Sequence, residues 1–180
     1  MRSSPCAIDE LAAALRGLGG TLQPVKVAAA LREMSVDLRT LAPFVSWCSG
    51  RYTRNLVTRT EAFELVAICW DAGAHSAIHD HADSDCAFVV LDGTLECENY
   101  RLALAPDGGS RAALTRAGTR TLAHGDLDVR SGHLSVHRVG APAGRATTLH
   151  VYAKPIDVCL AYDEDGTPRE VRSVYDTVPR

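Results

Sequence analysis

From residue 50 onward the chain divides into many short strand-like runs closed by turns, and this limits the fold more than any other feature. Runs at 51–57, 63–70, 74–80, 86–91 and 94–104 come first. Shorter ones follow near 111–116, 119–122, 127–130 and 134–139, and then 146–154 and 158–162. Asp92-Gly93 is a hairpin signal and Pro106-Asp107-Gly108-Gly109 a turn. Short strands at such spacing predict a β-sandwich or barrel. No strand–helix alternation follows residue 50, which disfavours a doubly wound α/β sheet.

The preceding segment reads as helical. Leu11, Leu15 and Leu18 recur at helical spacing, with Asp9 and Glu10 at the dipole-favoured end and Gly19-Gly20 as the stop. Pro24 suits the first turn of a second helix carrying Val25, Val27, Ala28 and Leu31. Asp37 is placed to cap a third, with Leu38, Leu41, Phe44, Val45 and Trp47 apolar and Pro43 as a kink or restart. The expectation is one domain over 1–180, with a helical cap (1–49) on a β-barrel (50–180).

Bulk properties narrow the function. The 180 residues are enough for a substantial core, and 46% apolar with 23% charged is ordinary for a globule. A net charge of -3 without a basic run argues against nucleic acid or an anionic membrane as the main partner. No apolar run nears the ~20 residues of a membrane span, and the first residues lack a signal-peptide core. A cytoplasmic protein is expected. The six cysteines (Cys6, Cys48, Cys69, Cys86, Cys97, Cys159) form no C-x-x-C pair, so neither a disulfide framework nor a zinc finger is expected. Most should be small buried hydrophobes, Cys69 most clearly.

Chemistry concentrates at 78–86, IHDHADSDC. On a strand, His79 and His81 share a face and aim two imidazoles at one point. By itself the pair fits either a metal site or two surface or core histidines. His137, on a further strand-like run, is the natural third ligand. Three imidazoles suit Fe, Zn, Cu and Ni alike. Asp80, Asp83 and Asp85 read as turn and surface residues, and His75, His124 and His133 as exposed or structural.

The spacing Gly73, five residues, His79-x-His81, four residues, Cys86, six residues, Gly93 resembles the first cupin motif, with cysteine replacing the usual glutamate. Gly125 to His137 resembles the second, one residue longer and without its proline. Within the cupins the chain is similar to cysteine dioxygenases of the type with a Cys–Tyr crosslink. RYTRNLV at 51–57, ICW at 68–70, SAIHDHADSDC at 76–86, HRV at 137–139, LHVY at 149–152 and DVC at 157–159 carry the likeness, in order. It implies a jelly-roll cupin barrel, a single Fe(II) per chain on His79, His81 and His137, and a monomer acting in cysteine catabolism on L-cysteine and O2. It further implies carboxylate binding by Arg54 with Tyr52, a Cys86–Tyr152 thioether, His150 orienting the Tyr152 hydroxyl, and Cys159 near the pocket mouth. The departures are Thr148, where the family commonly has serine, and Asp85, where mammalian relatives have histidine.

The implied chemistry is coherent. A cysteine substrate can chelate iron through thiolate and amine, leaving a position for O2. Arg54 forks onto the carboxylate, and both oxygen atoms end on sulfur as a sulfinic acid. The rival readings are a dioxygenase of 3-mercaptopropionate or another small thiol, a different cupin enzyme, and a non-catalytic cupin that senses an amino acid.

Overall fold

The computed structural model describes residues 5–20, 22–104, 112–131 and 135–179. The expected turn at 106–109, His133, and residues 111 and 134 at the heads of two expected strands lie outside them. Its elements are α1 (Ile8–Gly17), α2 (Pro24–Glu33), a 3-10 turn (Leu38–Leu41), and strands β1 (Tyr52–Arg59), β2 (Glu64–Trp70), β3 (Ile78–His79), β4 (Asp85–Asp92), β5 (Thr94–Leu104), β6 (Ala112–Ala123), β7 (Leu127–Ser131), β8 (His137–Gly140), β9 (Ala146–Ala153), β10 (Val158–Tyr162) and β11 (Pro168–Arg172).

The near-continuous apolar runs of β2, β4 and β9 have a simple cause: their sheet is covered on both faces. It is ordered β1-β2-β9-β4-β7, and the second sheet β11-β10-β3-β8-β5-β6. Alternate residues Leu65, Ala67, Ala87, Val89, Leu149 and Val151 face Ile8, Leu11, Leu15, Val27 and Leu31 of the helices. The intervening Val66, Ile68, Trp70, Phe88, Val90 and Tyr152 pack with Leu95, Cys97 and Val139 of the second sheet. Each fully buried Leu or Phe contributes roughly 1.5–3 kcal/mol, so both layers hold β9, which carries much of the site, firmly in register.

Local signals act largely as expected. Glu10 accepts from the Ala7 N–H at 2.8 Å, and Gly19 and Gly20 end α1 at φ +63° and +60°. Pro24 opens α2. Gly93 has φ +74°, and a Cβ there would meet Ala146 Cα at 2.8 Å, so only glycine fits this turn.

Several expectations are corrected. Asp37 does cap, accepting from Arg39 N at 2.9 Å, but the third helix is only the four-residue 3-10 turn. Pro43 lacks an N–H and so cannot donate the bond that would carry the helix on; Ala42 before it is still helical, at φ −50° and ψ −37°. Val25 is 71% exposed rather than a core position. The two strands expected at 111–116 and 119–122 are one, β6, with an irregular register opposite Asn99 and Tyr100 where Gly118 supplies a positive φ. β11 was not expected. Of the six cysteines only Cys69, Cys86 and Cys97 are buried.

Candidate active site

Three histidines converge, by a different route from simple strand alternation. The expected strand at 74–80 shrinks to Ile78–His79, because His79 pairs with β8 on one side and β10 on the other for only that length. His79 lies directly opposite His137 across the β3–β8 pair. His81 stands beyond the strand end, in a turn closed by Ser84 N–H donating to the His81 carbonyl at 2.9 Å, with Ala82 at φ +49°. Ring centroids are 4.7 Å apart for His79–His137, 4.9 Å for His81–His137 and 5.3 Å for His79–His81. One ligand nitrogen from each ring falls within 4.8 Å of the others.

These rings fit a metal ion. His79 Nδ1 lies 2.9 Å from the Ala77 carbonyl, which can only accept, so this nitrogen carries the hydrogen and Nε2 keeps its lone pair. Burial drives all three imidazoles toward the neutral form, which ligation requires; for His81 and His137 their neighbouring histidines add to it. The His81 Nδ1 is buried without a hydrogen-bond partner. No carboxylate joins this set. Asp80, read above as a surface residue, is instead 2% exposed and structural: it accepts from Leu160 N at 2.9 Å and Ala82 N at 3.2 Å, fixing the turn between the ligands. Asp83 is exposed and pairs with Lys154, and His75 and His124 are exposed.

His79 and His81 open into a cavity of about 290 Å³, also lined by Tyr52, Arg54, Tyr152 and Cys159. Arg54 Nη1 donates to the Tyr152 hydroxyl at 3.2 Å, and its guanidinium lies 5.2 Å from that ring centroid. Burial opposes the Arg54 charge, but the Glu64 carboxylate and the hydrogen bond to Tyr152 outweigh it and keep the group protonated. Burial raises the Tyr152 phenol well above its ordinary value, against the pull of Arg54, so it stays a hydroxyl. Tyr52 packs against Trp70, their ring centroids 4.9 Å apart and the planes tilted by 32°.

Behind Tyr152 runs a chain of polar groups. The Trp70 indole donates to Thr148 Oγ1 at 2.9 Å. Thr148 Oγ1 lies 2.9 Å from His150 Nε2, and His150 Nδ1 lies 3.4 Å from the Tyr152 hydroxyl. Phe88 stacks on His150 at 4.5 Å. Thr148, His150 and Tyr152 alternate along β9 and so share its inward face. Cys86 sits opposite Tyr152, with its sulfur 3.9 Å from His150 Nδ1. The expected site residues therefore assemble in one place.

The sequence reading missed what holds Arg54. Glu64, fully buried, lies 3.4 Å from Arg54 Nη2 and 3.6 Å from Arg59 Nη1, and accepts from the Tyr175 hydroxyl. Asp176 accepts from Arg54 N at 2.8 Å. A lone acid within the apolar run at 63–70 was the available signal, since buried acids occur almost only when paired.

A profile of the family described as cysteine dioxygenase type I matches residues 18–165. The chain belongs to this family. Cysteine dioxygenase type 1 of Rattus norvegicus is 32% identical over 149 residues, 81% of this chain and 72% of that protein. The Homo sapiens protein of the same name is 30% identical over the same shares. Among solved structures, TT1209 from Thermus thermophilus superposes with a TM-score of 0.49 at 18% identity, covering 63% of this chain and 93% of that one. The protein is accordingly an enzyme, a thiol dioxygenase on a mainly β, jelly-roll cupin fold.

Proposed function

We propose that this enzyme holds one Fe(II) on His79, His81 and His137 and oxidises L-cysteine with O2 to cysteine sulfinic acid. The observation that carries the reading is the convergence of three imidazoles, two of which, His79 and His81, line one small cavity together with Arg54 and Tyr152. Iron would supply the redox chemistry that O2 requires and hold the substrate sulfur as thiolate.

The chain's own groups do the rest. Arg54 has a permanent charge and a planar fork, suited to a substrate carboxylate. Its Nε is buried without a partner, a donor available to that anion. Tyr52 narrows the cavity beside it. Tyr152 already accepts from Arg54, so its own hydrogen is free to donate toward the reacting sulfur and oxygen. Thr148 retains the hydroxyl of the His150 relay, and Trp70 anchors it. Cys86, opposite Tyr152 across β4 and β9, would supply the sulfur of the thioether. Cys159 lines the cavity. The same reading makes the protein a cytoplasmic monomer acting in cysteine breakdown, without nucleic acid or membrane as partner.

The test is O2 uptake by the Fe(II)-loaded protein with three thiols. L-Cysteine should be turned over far better than cysteamine or 3-mercaptopropionate, which lack the carboxylate and the amine respectively. Equal or better use of 3-mercaptopropionate would move the assignment to that acid. Cysteine binding without O2 uptake would leave an amino-acid sensor.

A further inference from the structure

Between the sheets, next to His137, lies a second buried polar cluster that is not part of the cavity lining. Asp128 and Arg130, two apart on β7, share a face. Arg130 Nε donates to Asp128 Oδ2 at 2.5 Å, and Arg120 Nη1 donates to Asp128 Oδ1 at 3.0 Å. Arg130 Nη2 donates to Cys97 Sγ at 3.1 Å. Cys97 Sγ lies 3.5 Å from His137 Nδ1. The side chains of Asp128 and Arg130 are 3% and 11% exposed, and Cys97 is fully buried.

We propose that Cys97, gripped by the Arg130–Asp128 pair, is a positioning residue for His137, its sulfur accepting the Nδ1 hydrogen so that the other ring nitrogen is presented to the metal. The inference rests on the metal-centre reading. A guanidinium only donates, so the sulfur already acts as an acceptor toward Arg130. If the thiol instead donated to Nδ1, the hydrogen would move to Nε2 and that nitrogen could not ligate. The cluster also ties the sheets together: Cys97 is on β5, in the sheet of His137, whereas Arg130 pairs opposite Cys86 in the other. Cys97, Asp128 and His137 are close enough to suggest a second ion site. Arg130 bonds both Asp128 and Cys97, so a cation is already there.

Metal-free protein titrated with Co(II) tests this, because affinity and the visible ligand-field spectrum are read without turnover. Cys97→Ala should bind Co(II) roughly 10–100-fold more weakly, the usual loss on removing a group that orients a ligand, with a shifted spectrum. Cys97→Ser, which keeps an acceptor, should recover most of the affinity. Arg130→Met, which leaves the sulfur ungripped, should weaken binding by a smaller factor. Wild-type affinity and spectrum in Cys97→Ala overturn the proposal. So does wild-type behaviour of Arg130→Met if the alanine variant does not fold. Wild-type protein that takes up no Co(II) overturns the metal-centre reading beneath it.

Discussion

Cys86 and Tyr152 face one another across β4 and β9, each on the inward side of a strand whose other side is covered by the helices. A thioether between them joins sulfur to a ring carbon with loss of a pair of hydrogens, whose electrons O2 can take. After turnover with L-cysteine, a fraction of the protein should yield a joined peptide of the two segments, lighter by those hydrogens. Cys86→Ser should never yield it. Recovery of only separate peptides after prolonged turnover would contradict the assignment.

The proposed role of Arg54 is to bind the substrate carboxylate. Arg54→Ala removes a charge-assisted hydrogen bond worth roughly 1.5–3 kcal/mol, so KM for L-cysteine should rise about 10- to 150-fold. Residual activity with cysteamine, which has no carboxylate, should change far less. Parallel losses for both thiols would assign Arg54 a structural role only.

Glu64 contributes mainly to stability. It is fully buried between Arg54 and Arg59. Glu64→Ala strips both guanidinium groups of a shared acceptor, and losing one partner of a buried pair costs about 3 kcal/mol. Denaturant unfolding should register that loss. A change within 0.5 kcal/mol, about the range of a neutral surface substitution, would show that the pair is dispensable.

Acid should destabilise the protein partly through His150. Burial first, then Arg54 and His79, hold its folded value well below the ordinary 6.5. Between those two values the unfolded chain binds more protons, so stability is retained above about pH 6.5 and falls as the pH drops below it. In His150→Gln, the stability lost between pH 7 and pH 5 should shrink by up to about 1.4 kcal/mol per unit below 6.5. Equal acid losses in the two proteins would place the titration elsewhere.

The β-rich architecture and the site residues were legible because period-2 patterns, turn residues and ordered motifs are local signals. Gly93 and Pro24 acted as their chemistry requires. The rest depended on long-range pairing. His81 reaches the site from a turn, through the grip of Asp80 on Leu160, 80 residues away. Glu64 is satisfied by the Tyr175 hydroxyl, which closes over it from 111 residues away. Cys97 resembled any buried thiol until Arg130 arrived from the opposite sheet.

On the proposed function, both atoms of one O2 molecule end on the sulfur of L-cysteine at this site. It is tested most directly by turning over L-cysteine with Fe(II)-loaded protein under isotopically heavy O2 and weighing the product. One O2 should be consumed per cysteine, giving a sulfinic acid that carries two heavy oxygens, and neither should be seen with His137→Ala. A product with one heavy oxygen, or disulfide with no labelled oxygen, would contradict it.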